Sequence, residues 1–587
     1  MIPVRVPTSA NVFASLSPTR SLLENAPSER SWQLAAWGVA LTVAIFRILY
    51  LRYACPYDLA PDEAHYWDWS RHLDWSYYSK GPGVAWLIAA STGLFGHEMW
   101  AVRLPAVLCG SLTLIGLFDL TRRVYRDGRL ALAAMMLALT IPPLAVGSLL
   151  MTIDPPFVCC WMWALVATHV ACFPGPRRSL RDLTLLWFAL GCLIGLGILF
   201  KYTMVLSIPS LLLFAISCRF LGLQHVRLPS TPRDLVSLAC PVVVCLAPIV
   251  IWNANHGWVT LLHVGRQAGV QGGGVIWLGP LHYLAGQFGA LFGFWFIFIL
   301  GSVLAAAWKI VPSRRDRESL PAFTSDAQDS KAIPKASWIA TDQAVFLLSF
   351  FVPTFVVFFA FSLKTKIELN WPVTAYLSGG VLAAGWVLAN CRSPVTWWRK
   401  LSQGLLATAA VIGLAAVILM HRTDWLYPLL PIQGAGPDAV SLGPRRWDPT
   451  CRLRGWRTLA AEVDALRGQL RKEGIEPVLI AGGWALPGEI AFYLPDHPQV
   501  YSIGSANGGR LSQYDFWRPN PVWDPEAFRG RTMICVGDLV PTAHGAFGRI
   551  EPTRYVVHEV AGHPVAVWSV TVCHEFQGFD QIQPLGY

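Results

Sequence analysis

Two adjacent carboxylates and a lysine stand out in a segment that follows the first strongly apolar stretch of the chain. The carboxylates, Asp62 and Glu63, belong to residues 61–69, PDEAHYWDW, and Lys80 follows within residues 77–82, YYSKGP. Charged groups beside a bilayer are costly to desolvate, so their usual reason for being there is function. A carboxylate can accept a proton and a lysine can neutralise phosphate oxygens. These residue types are the ones that lipid-level chemistry on a phosphate-bearing substrate would need.

The composition places these residues in a polytopic membrane protein. Of 587 residues, 54% are hydrophobic and only 14% are charged. A soluble protein of this size could not bury that much apolar surface. The formal net charge of +10 comes from basic residues in short loops between apolar runs. That distribution is typical of membrane orientation signals rather than of a nucleic-acid-binding surface.

Eleven apolar segments have the length of roughly 20 residues that a bilayer core requires. They lie near 33–51, 100–119, 130–150, 156–173, 183–200, 203–221, 234–252, 281–307, 343–362, 372–390 and 402–420. Two of them could be split or re-entrant, so we expect about 11–13 transmembrane helices. Basic residues occupy every second connecting loop, which predicts that these loops are cytoplasmic, together with residues 1–32 and the linker 309–341. The protein is thus predicted to be a multi-pass protein of the cell (inner) membrane, with residues 33–420 as its membrane domain.

This topology brings charged residues from separate stretches of the chain to the outer face. They include Asp62, Glu63, Lys80, Asp154, Lys201, Arg266, Lys366 and Glu368. Any single lysine among them could be a snorkelling helix end. The orientation rule, however, would deplete lysine and arginine on this side. The set as a whole therefore predicts a site at one membrane surface.

The first outer loop, residues 52–99, contains a predicted interfacial helix. Pro61 suits a first helical turn, in which Asp62 and Glu63 face the positive end of the helix dipole. Asp62, Tyr66 and Trp69 then share one helix face. The aromatic residues of this loop fit an aromatic belt equally well, with the acidic pair only starting the helix. The pattern alone leaves both interpretations open.

Residues 430–587 are predicted to form a soluble, extracytoplasmic α/β domain of roughly 150 residues. An amphipathic helix is predicted over 455–473, buried strands over 477–481 and 532–536, a helix through 489–493, and antiparallel strands between 555 and 572. The domain shows no phosphate loop, metal-ligand spacing or nucleophile elbow. Cys535 and Cys573 are candidates for a disulfide bridge on the outer side.

The first outer loop resembles that of the C-type (GT-C) membrane-embedded glycosyltransferases. The branch that it resembles joins the protein O-mannosyltransferases with the lipid A aminoarabinose transferase. The shared pattern is DEAHYW at 62–67, DW at 74–75 and YYSKGP at 77–82, and it continues at 152–155 (TIDP), 200–203 (FKYT), 252–266 and 366–372. The C-terminal region also resembles bacterial members of the family, for example at 513–517 (QYDFW), without a role for these residues.

The resemblance implies a hexosyl- or pentosyltransferase that uses a polyprenyl-phosphate-linked sugar. The donor phosphate would be held by Lys80, Lys201 and Arg266, which could neutralise the charge that develops on its oxygens. No metal is then required, although Asp62 and Glu63 could hold a divalent ion.

The carboxylates would act on the acceptor. Asp62 would accept the proton of an acceptor hydroxyl, and Glu63 or Asp154 would orient the acceptor or the sugar. Direct displacement would invert the anomeric centre. The predicted substrate cavity also includes Tyr66, Tyr78, Lys366 and Glu368.

The acceptor, a lipid, glycan or protein, and the sugar stay open. The chain lacks the long outer insertion of the protein mannosyltransferases, and residues 80–83, KGPG, differ from the aminoarabinose branch. The alternative is a transporter or flippase of lipid-linked sugars. That function predicts broken helices and charges near mid-bilayer, with related halves. The charged set lies at one face instead, and the sequence shows no related halves.

Overall fold

The structure, a computed structural model, describes residues 28–174, 179–269, 274–310, 338–431, 437–441 and 443–580. Most of the predicted N-terminal segment and of the linker 309–341 lies outside these ranges. The chain folds into an apolar helical bundle followed by a region with one mixed sheet.

The helical part comprises sixteen helices in the described residues up to 421. They are α1 Glu29–Tyr53, α2 Pro61–Arg71, α3 Gly83–Phe95, α4 Met99–Tyr125, α5 Gly128–Ala138, α6 Pro142–Gly147, α7 Asp154–Cys172, α8 Leu180–Phe200, α9 Ser207–Phe220, α10 Pro232–Asn255, α11 Val259–Gln267, α12 Gly279–Ala290, α13 Phe294–Ile310, α14 Thr341–Phe361, α15 Ala375–Asn390 and α16 Thr396–His421. Each of the eleven predicted spans coincides with apolar helix.

Eight of these spans are single helices long and apolar enough to cross a membrane, within the part of the chain that the structure describes. The span predicted at 281–307 is instead the pair α12 and α13, bent by 116°, because Phe292 and Gly293 between them adopt positive φ. The span at 130–150 ends early at Ala138, since Pro142 and Pro143 cannot continue a helical hydrogen-bond ladder. The span at 372–390 is the shorter helix α15. The polytopic fold class is thus confirmed.

The C-terminal region confirms the predicted α/β elements. Its helices are α17 Trp456–Lys472 and α18 Leu486–Tyr493, and its strands are β1 Val478–Ala481, β2 Val500–Ser502, β3 Met533–Val536, β4 Phe547–Ile550, β5 Arg554–Val560 and β6 His563–Phe576. The sheet order is β2-β1-β3-β6-β4, with β5 also paired to β6. The first three strands are parallel, and β6 runs antiparallel to its neighbours. The boundary at 430 and the outer location of this region stay predictions.

The candidate disulfide is not formed. In the antiparallel pair β3–β6, Cys535 lies opposite Thr571, and Cys573 lies opposite Met533. The two thiols are therefore offset by two residues along the ladder, and both cysteines are free.

The C-terminal region packs directly on the first outer loop. Trp67, Trp69 and Tyr77 of that loop share one apolar core with Val463 and Ile490 of α17 and α18. At the closest approach, a Cβ added to Gly488 of α18 would lie 2.5 Å from the carbonyl oxygen of Ala64 in α2. Only glycine allows this approach, so the contact fixes α2 against the sheet region.

Candidate active site

Helix α2 presents Asp62 to a cavity at the junction of the bundle and the C-terminal region. Pro61 occupies the first turn, and the Glu63 side chain accepts a hydrogen bond from the Ala60 amide at 2.8 Å, which starts the helix. Tyr66, one turn later, donates its hydroxyl to Asp62 Oδ1 at 3.5 Å. The predicted face shared by Asp62 and Tyr66 is therefore confirmed.

The cavity has a volume of about 440 Å³ and gathers most of the predicted site residues. Those that line it are Asp62, Tyr66, Tyr78, Lys80, Asp154, Lys201 and Glu368. They come from the first outer loop, the start of α7, the end of α8 and the segment before α15. The expectation that Asp62 and Asp154 face one cavity is thereby confirmed.

Asp154 and Lys201 form an ion pair in this site. Lys201 Nζ donates to Asp154 Oδ1 at 2.7 Å, and Asn370 Nδ2 donates to Asp154 Oδ2 at 2.6 Å. The Lys201 ammonium also lies 5.4 Å from the ring centroid of Phe157. Since both Asp154 oxygens already accept hydrogen bonds, Asp154 holds Lys201 and Asn370 in place and is poorly suited to accept a further proton.

Lys80 is the second cation in the cavity. A Cβ on the next residue, Gly81, would lie 2.3 Å from the carbonyl oxygen of Leu199, so the loop passes tightly over the end of α8. Burial and, to a lesser extent, the nearby Lys201 charge lower the pKa of Lys80 to about 8, while Asp62 opposes the shift. Among the described residues, Lys80 forms no ion pair, which leaves its ammonium group for a ligand.

Asp62 is exposed to the cavity but surrounded by protein. The resulting desolvation raises its pKa above the ordinary value for an aspartate, and Lys80 opposes that shift by favouring the charged form. The Asp154 charge adds to the rise. A carboxylate with a raised pKa and one weak hydrogen bond is a better proton acceptor than an ordinary surface aspartate.

Glu63 does not line the cavity, which corrects its predicted role in orienting the acceptor or sugar. Its side chain is 0% exposed, and Arg103 of α4, 1% exposed, donates to it from Nη2 at 2.7 Å and from Nε at 2.9 Å. The Met151 amide also donates to it at 2.7 Å. Glu63 is thus a structural anchor that ties α2 to α4 and to the turn before Asp154. Because the Glu63 oxygens already accept these hydrogen bonds, they do not fit a metal site shared with Asp62.

Arg266 and Lys366 also lie outside the lining of the cavity, contrary to the prediction. Arg266 is in α11, and the residues of that helix that line the cavity are His263 and Gln267. Lys366 is exposed to solvent. Sequence spacing indicated the right segments but not which side chains point inward.

The C-terminal region contributes a wall that the sequence did not reveal. Trp484, Arg510 and Gln513 line the cavity, and the Gln513 side-chain oxygen accepts a hydrogen bond from the Tyr78 amide at 2.7 Å. From the sequence, residues 513–517 had no role beyond their resemblance to the family. This contact supplies a role, since it holds the first outer loop in place. Arg510 gave no sequence signal, because it is a lone cation in a glycine-rich loop.

A metal site finds no support in the ligand geometry. Across the ranges that the structure describes, no group of three or more histidine, cysteine, aspartate or glutamate side chains comes together to hold an ion. The absence of a metal requirement stays a prediction.

Comparison with known proteins finds similarity to glycosyltransferases. Residues 79–252 match the family described as dolichyl-phosphate-mannose-protein mannosyltransferase. The chain is 24% identical over 395 residues to the lipid A galacturonosyltransferase RgtD of Rhizobium johnstonii, which covers 67% of this chain and 72% of that protein. It is 27% identical over 192 residues to the undecaprenyl phosphate-α-4-amino-4-deoxy-L-arabinose arabinosyl transferase 2 of Pseudomonas fluorescens, covering 30% of this chain and 32% of that protein.

The fold also matches a solved structure over nearly its whole length. ArnT from Cupriavidus metallidurans, bound to undecaprenyl phosphate, superposes with a TM-score of 0.56 and 17% identity. The match covers 93% of this chain and 98% of that one. The sequence matches and the shared fold together confirm what the first outer loop predicted: this chain is a multi-pass inner-membrane glycosyltransferase with the C-type fold.

Proposed function

We propose that the protein is an inverting glycosyltransferase that moves a sugar from a polyprenyl-phosphate-linked donor to an acceptor at the outer face of the inner membrane. The observation that carries this proposal is that Asp62, a base candidate, and Lys80, a cation without an ion-pair partner among the described residues, open into one cavity. That cavity lies at the start of α7 and the end of α8, two helices that are long and apolar enough to cross a membrane, which suits a lipid-linked substrate.

The donor phosphate would lie against Lys80. As the bond between the anomeric carbon and the phosphate oxygen breaks, the electron pair goes to that oxygen, and negative charge builds on the leaving polyprenyl phosphate. The Lys80 ammonium stabilises that charge in a partly desolvated site, where such contacts are strongest. Lys201 adds positive potential, although Asp154 compensates part of it.

The acceptor hydroxyl would attack the opposite face of the anomeric carbon. A new bond forms between the acceptor oxygen and that carbon, the configuration inverts, and the hydroxyl proton goes to Asp62. The raised pKa of Asp62 brings its basicity closer to that required of a general base. Tyr66, which donates to Asp62 at 3.5 Å, orients the carboxylate toward the acceptor.

The relatives support the donor class and favour a lipid acceptor. The two sequence relatives are named for lipid A or for an undecaprenyl-phosphate-linked sugar, and the matching ArnT structure holds undecaprenyl phosphate. A glycan or protein acceptor is the alternative for the same chemistry. The orientation that we propose, with a cytoplasmic N-terminus and a periplasmic C-terminal region, rests on the basic residues of alternate loops.

The test is transfer by Asp62→Asn in reconstituted membranes. The variant keeps shape and hydrogen bonding but cannot take a proton, so transfer to a hydroxyl acceptor should fall by about 100-fold or more. Binding of undecaprenyl phosphate should remain. Asp464→Asn, at an exposed position of α17, is the matched control and should transfer like the wild type.

Three other results would change the proposal. Transfer by Asp62→Asn at the wild-type rate to a hydroxyl acceptor would refute the role of Asp62. A mild loss would indicate a phosphate acceptor, which is already deprotonated and needs no base. If wild-type protein moves lipid-linked sugar across vesicles but glycosylates no acceptor, it is a transporter.

A further inference from the structure

Arg510 is a third cation in the cavity, and the transfer of a neutral sugar as described above does not require it. Its guanidinium carbon lies 5.5 Å from the ring centroid of Trp484, and Nη1 lies 3.5 Å from His263 Nε2. Within the described ranges, Arg510 forms no ion pair with a carboxylate. The side chain therefore presents a charged, planar donor to the cavity.

The loop that carries Arg510 is fixed on both sides of this residue. Before it, Gly508 adopts φ +75°, and the Gly509 amide donates to the Gly504 carbonyl at 2.8 Å. After it, Leu511 packs against the apolar cluster of Tyr78, Trp252 and Val259, and Gln513 bonds the Tyr78 amide as described above. The position of Arg510 relative to the catalytic loop is therefore set by the fold.

Three carboxylates and three cations line the cavity, and within the described ranges none of these carboxylates lies within ion-pair distance of Arg510. Of these three cations, Lys201 is paired with Asp154 at 2.7 Å, and Lys80 is placed to bind the donor phosphate. Arg510 disfavours the charged form of Lys80, so the two cations repel each other across the cavity. A ligand with two separate anionic groups would relieve that repulsion. A polyprenyl-phosphate sugar supplies one negative charge at its phosphodiester, and a second anionic group elsewhere on the substrates would pair with Arg510.

The surroundings of Arg510 place the second anion on the sugar. Trp484, beside Arg510, also packs edge-on against His65 at 5.5 Å, and His65 follows Asp62 by three residues on α2. The sugar ring would lie against this aromatic wall, next to the base. A guanidinium binds a carboxylate through two parallel hydrogen bonds. We propose that the transferred sugar carries a carboxylate, as a uronic acid does, and that Arg510 binds it. This inference rests on the proposed function, and it agrees with the name of one relative, a galacturonosyltransferase.

The test is a binding experiment with three donors that differ only at C6 of the sugar. The full-length protein in nanodiscs is titrated with undecaprenyl-phosphate galacturonic acid, its 6-methyl ester and undecaprenyl-phosphate galactose. The wild type should bind the uronate at least about 10-fold more tightly than either neutral donor, as expected for a charge-assisted hydrogen-bonded pair. Arg510→Gln should remove that preference, and Arg510→Lys should restore only part of it. Arg529→Gln, at an exposed surface position, is the control and should keep it.

Two results would overturn the inference while leaving the proposed function in place. One is equal binding of the three donors by the wild type. The other is an unchanged preference in Arg510→Gln together with weakened binding of a phosphate-bearing lipid A acceptor, which would assign Arg510 to the acceptor. Failure of the wild type to bind even undecaprenyl phosphate would overturn the proposed function and this inference with it.

Discussion

Glu63→Gln should destabilise the protein rather than only slow its reaction. The Glu63 carboxylate accepts hydrogen bonds from Arg103 and from the amides of Ala60 and Met151, all at 2.7–2.9 Å in their closest contacts. Both charged side chains are essentially excluded from solvent. Replacing the carboxylate by an amide leaves the Arg103 guanidinium buried without a counterion.

The loss of stability is expected to be large because the Glu63–Arg103 pair is buried. Removing one partner of such a pair typically lowers the free energy of unfolding by about 3–5 kcal/mol. We expect Glu63→Gln to lower the free energy of unfolding by about 3 kcal/mol, since the side-chain oxygen of the glutamine keeps part of the hydrogen bonding. The double variant Glu63→Gln/Arg103→Gln should lose less than the sum of the two single variants, because the unpaired charge is gone.

Unfolding in mixed micelles, followed by tryptophan fluorescence, measures these differences. Glu526→Gln is the control, since its pair with Arg529 is fully exposed and its loss should not change stability measurably. If Glu63→Gln unfolds like the wild type but loses transfer, Glu63 takes part in the chemistry, as the sequence predicted. The anchoring role assigned to it here would then be wrong.

Three further predictions concern the cations of the site and the packing beneath it. The kcat/KM of the wild type should fall as the pH rises through about 8, because Lys80 loses its charge there. Lys80→Arg should shift that fall to higher pH. A pH–rate profile of each protein measures both effects. Lys201→Ala should weaken donor binding by about 1.5–3 kcal/mol, and adding Asp154→Asn should cost less than the two changes separately, as titration with undecaprenyl phosphate would show. Gly488→Ala should impair transfer and stability because its Cβ meets the backbone of α2, whereas Gly483→Ala, whose Cβ has no neighbour within 4 Å, should not.

Each of these has a contradicting result. A Lys80→Arg profile that falls at the same pH as the wild type would assign that ionisation to another group. Unchanged donor affinity in Lys201→Ala would leave this lysine as a helix-end residue that snorkels to the interface. Normal transfer by Gly488→Ala would show that α2 tolerates displacement from α18.

Elements with a strong periodic pattern could be predicted from the sequence. The apolar spans, α17 and the buried strands β1 and β3 all occur where composition and periodicity indicated. The breaks within two spans were harder to locate. A 116° bend between α12 and α13 depends on the backbone of Phe292 and Gly293, and an average of hydrophobicity over a window does not register it.

The candidate site was predicted by segment more reliably than by side chain. Asp62 and Glu63 are alike in sequence, yet one step along a helix turns a side chain by roughly 100°. Asp62 therefore faces the cavity, and Glu63 faces Arg103. His263 and Arg266 are three residues apart on α11, yet His263 lines the cavity and Arg266 does not. Arg510 comes from a loop with no periodicity, and only the tertiary packing of the C-terminal region brings it to the site.

The contact between Gln513 and the Tyr78 amide has a consequence for biosynthesis. The cavity is lined by residues from 62 to 513, and the loop that holds its last wall is supported by a sheet whose final strand ends at Phe576. In a nascent chain that has inserted every membrane span, Trp484 and Arg510 have not yet reached the cavity. The enzyme therefore becomes competent only after the C-terminal region has been translated and has folded, and a chain truncated after α16 would be inserted in the membrane yet inactive.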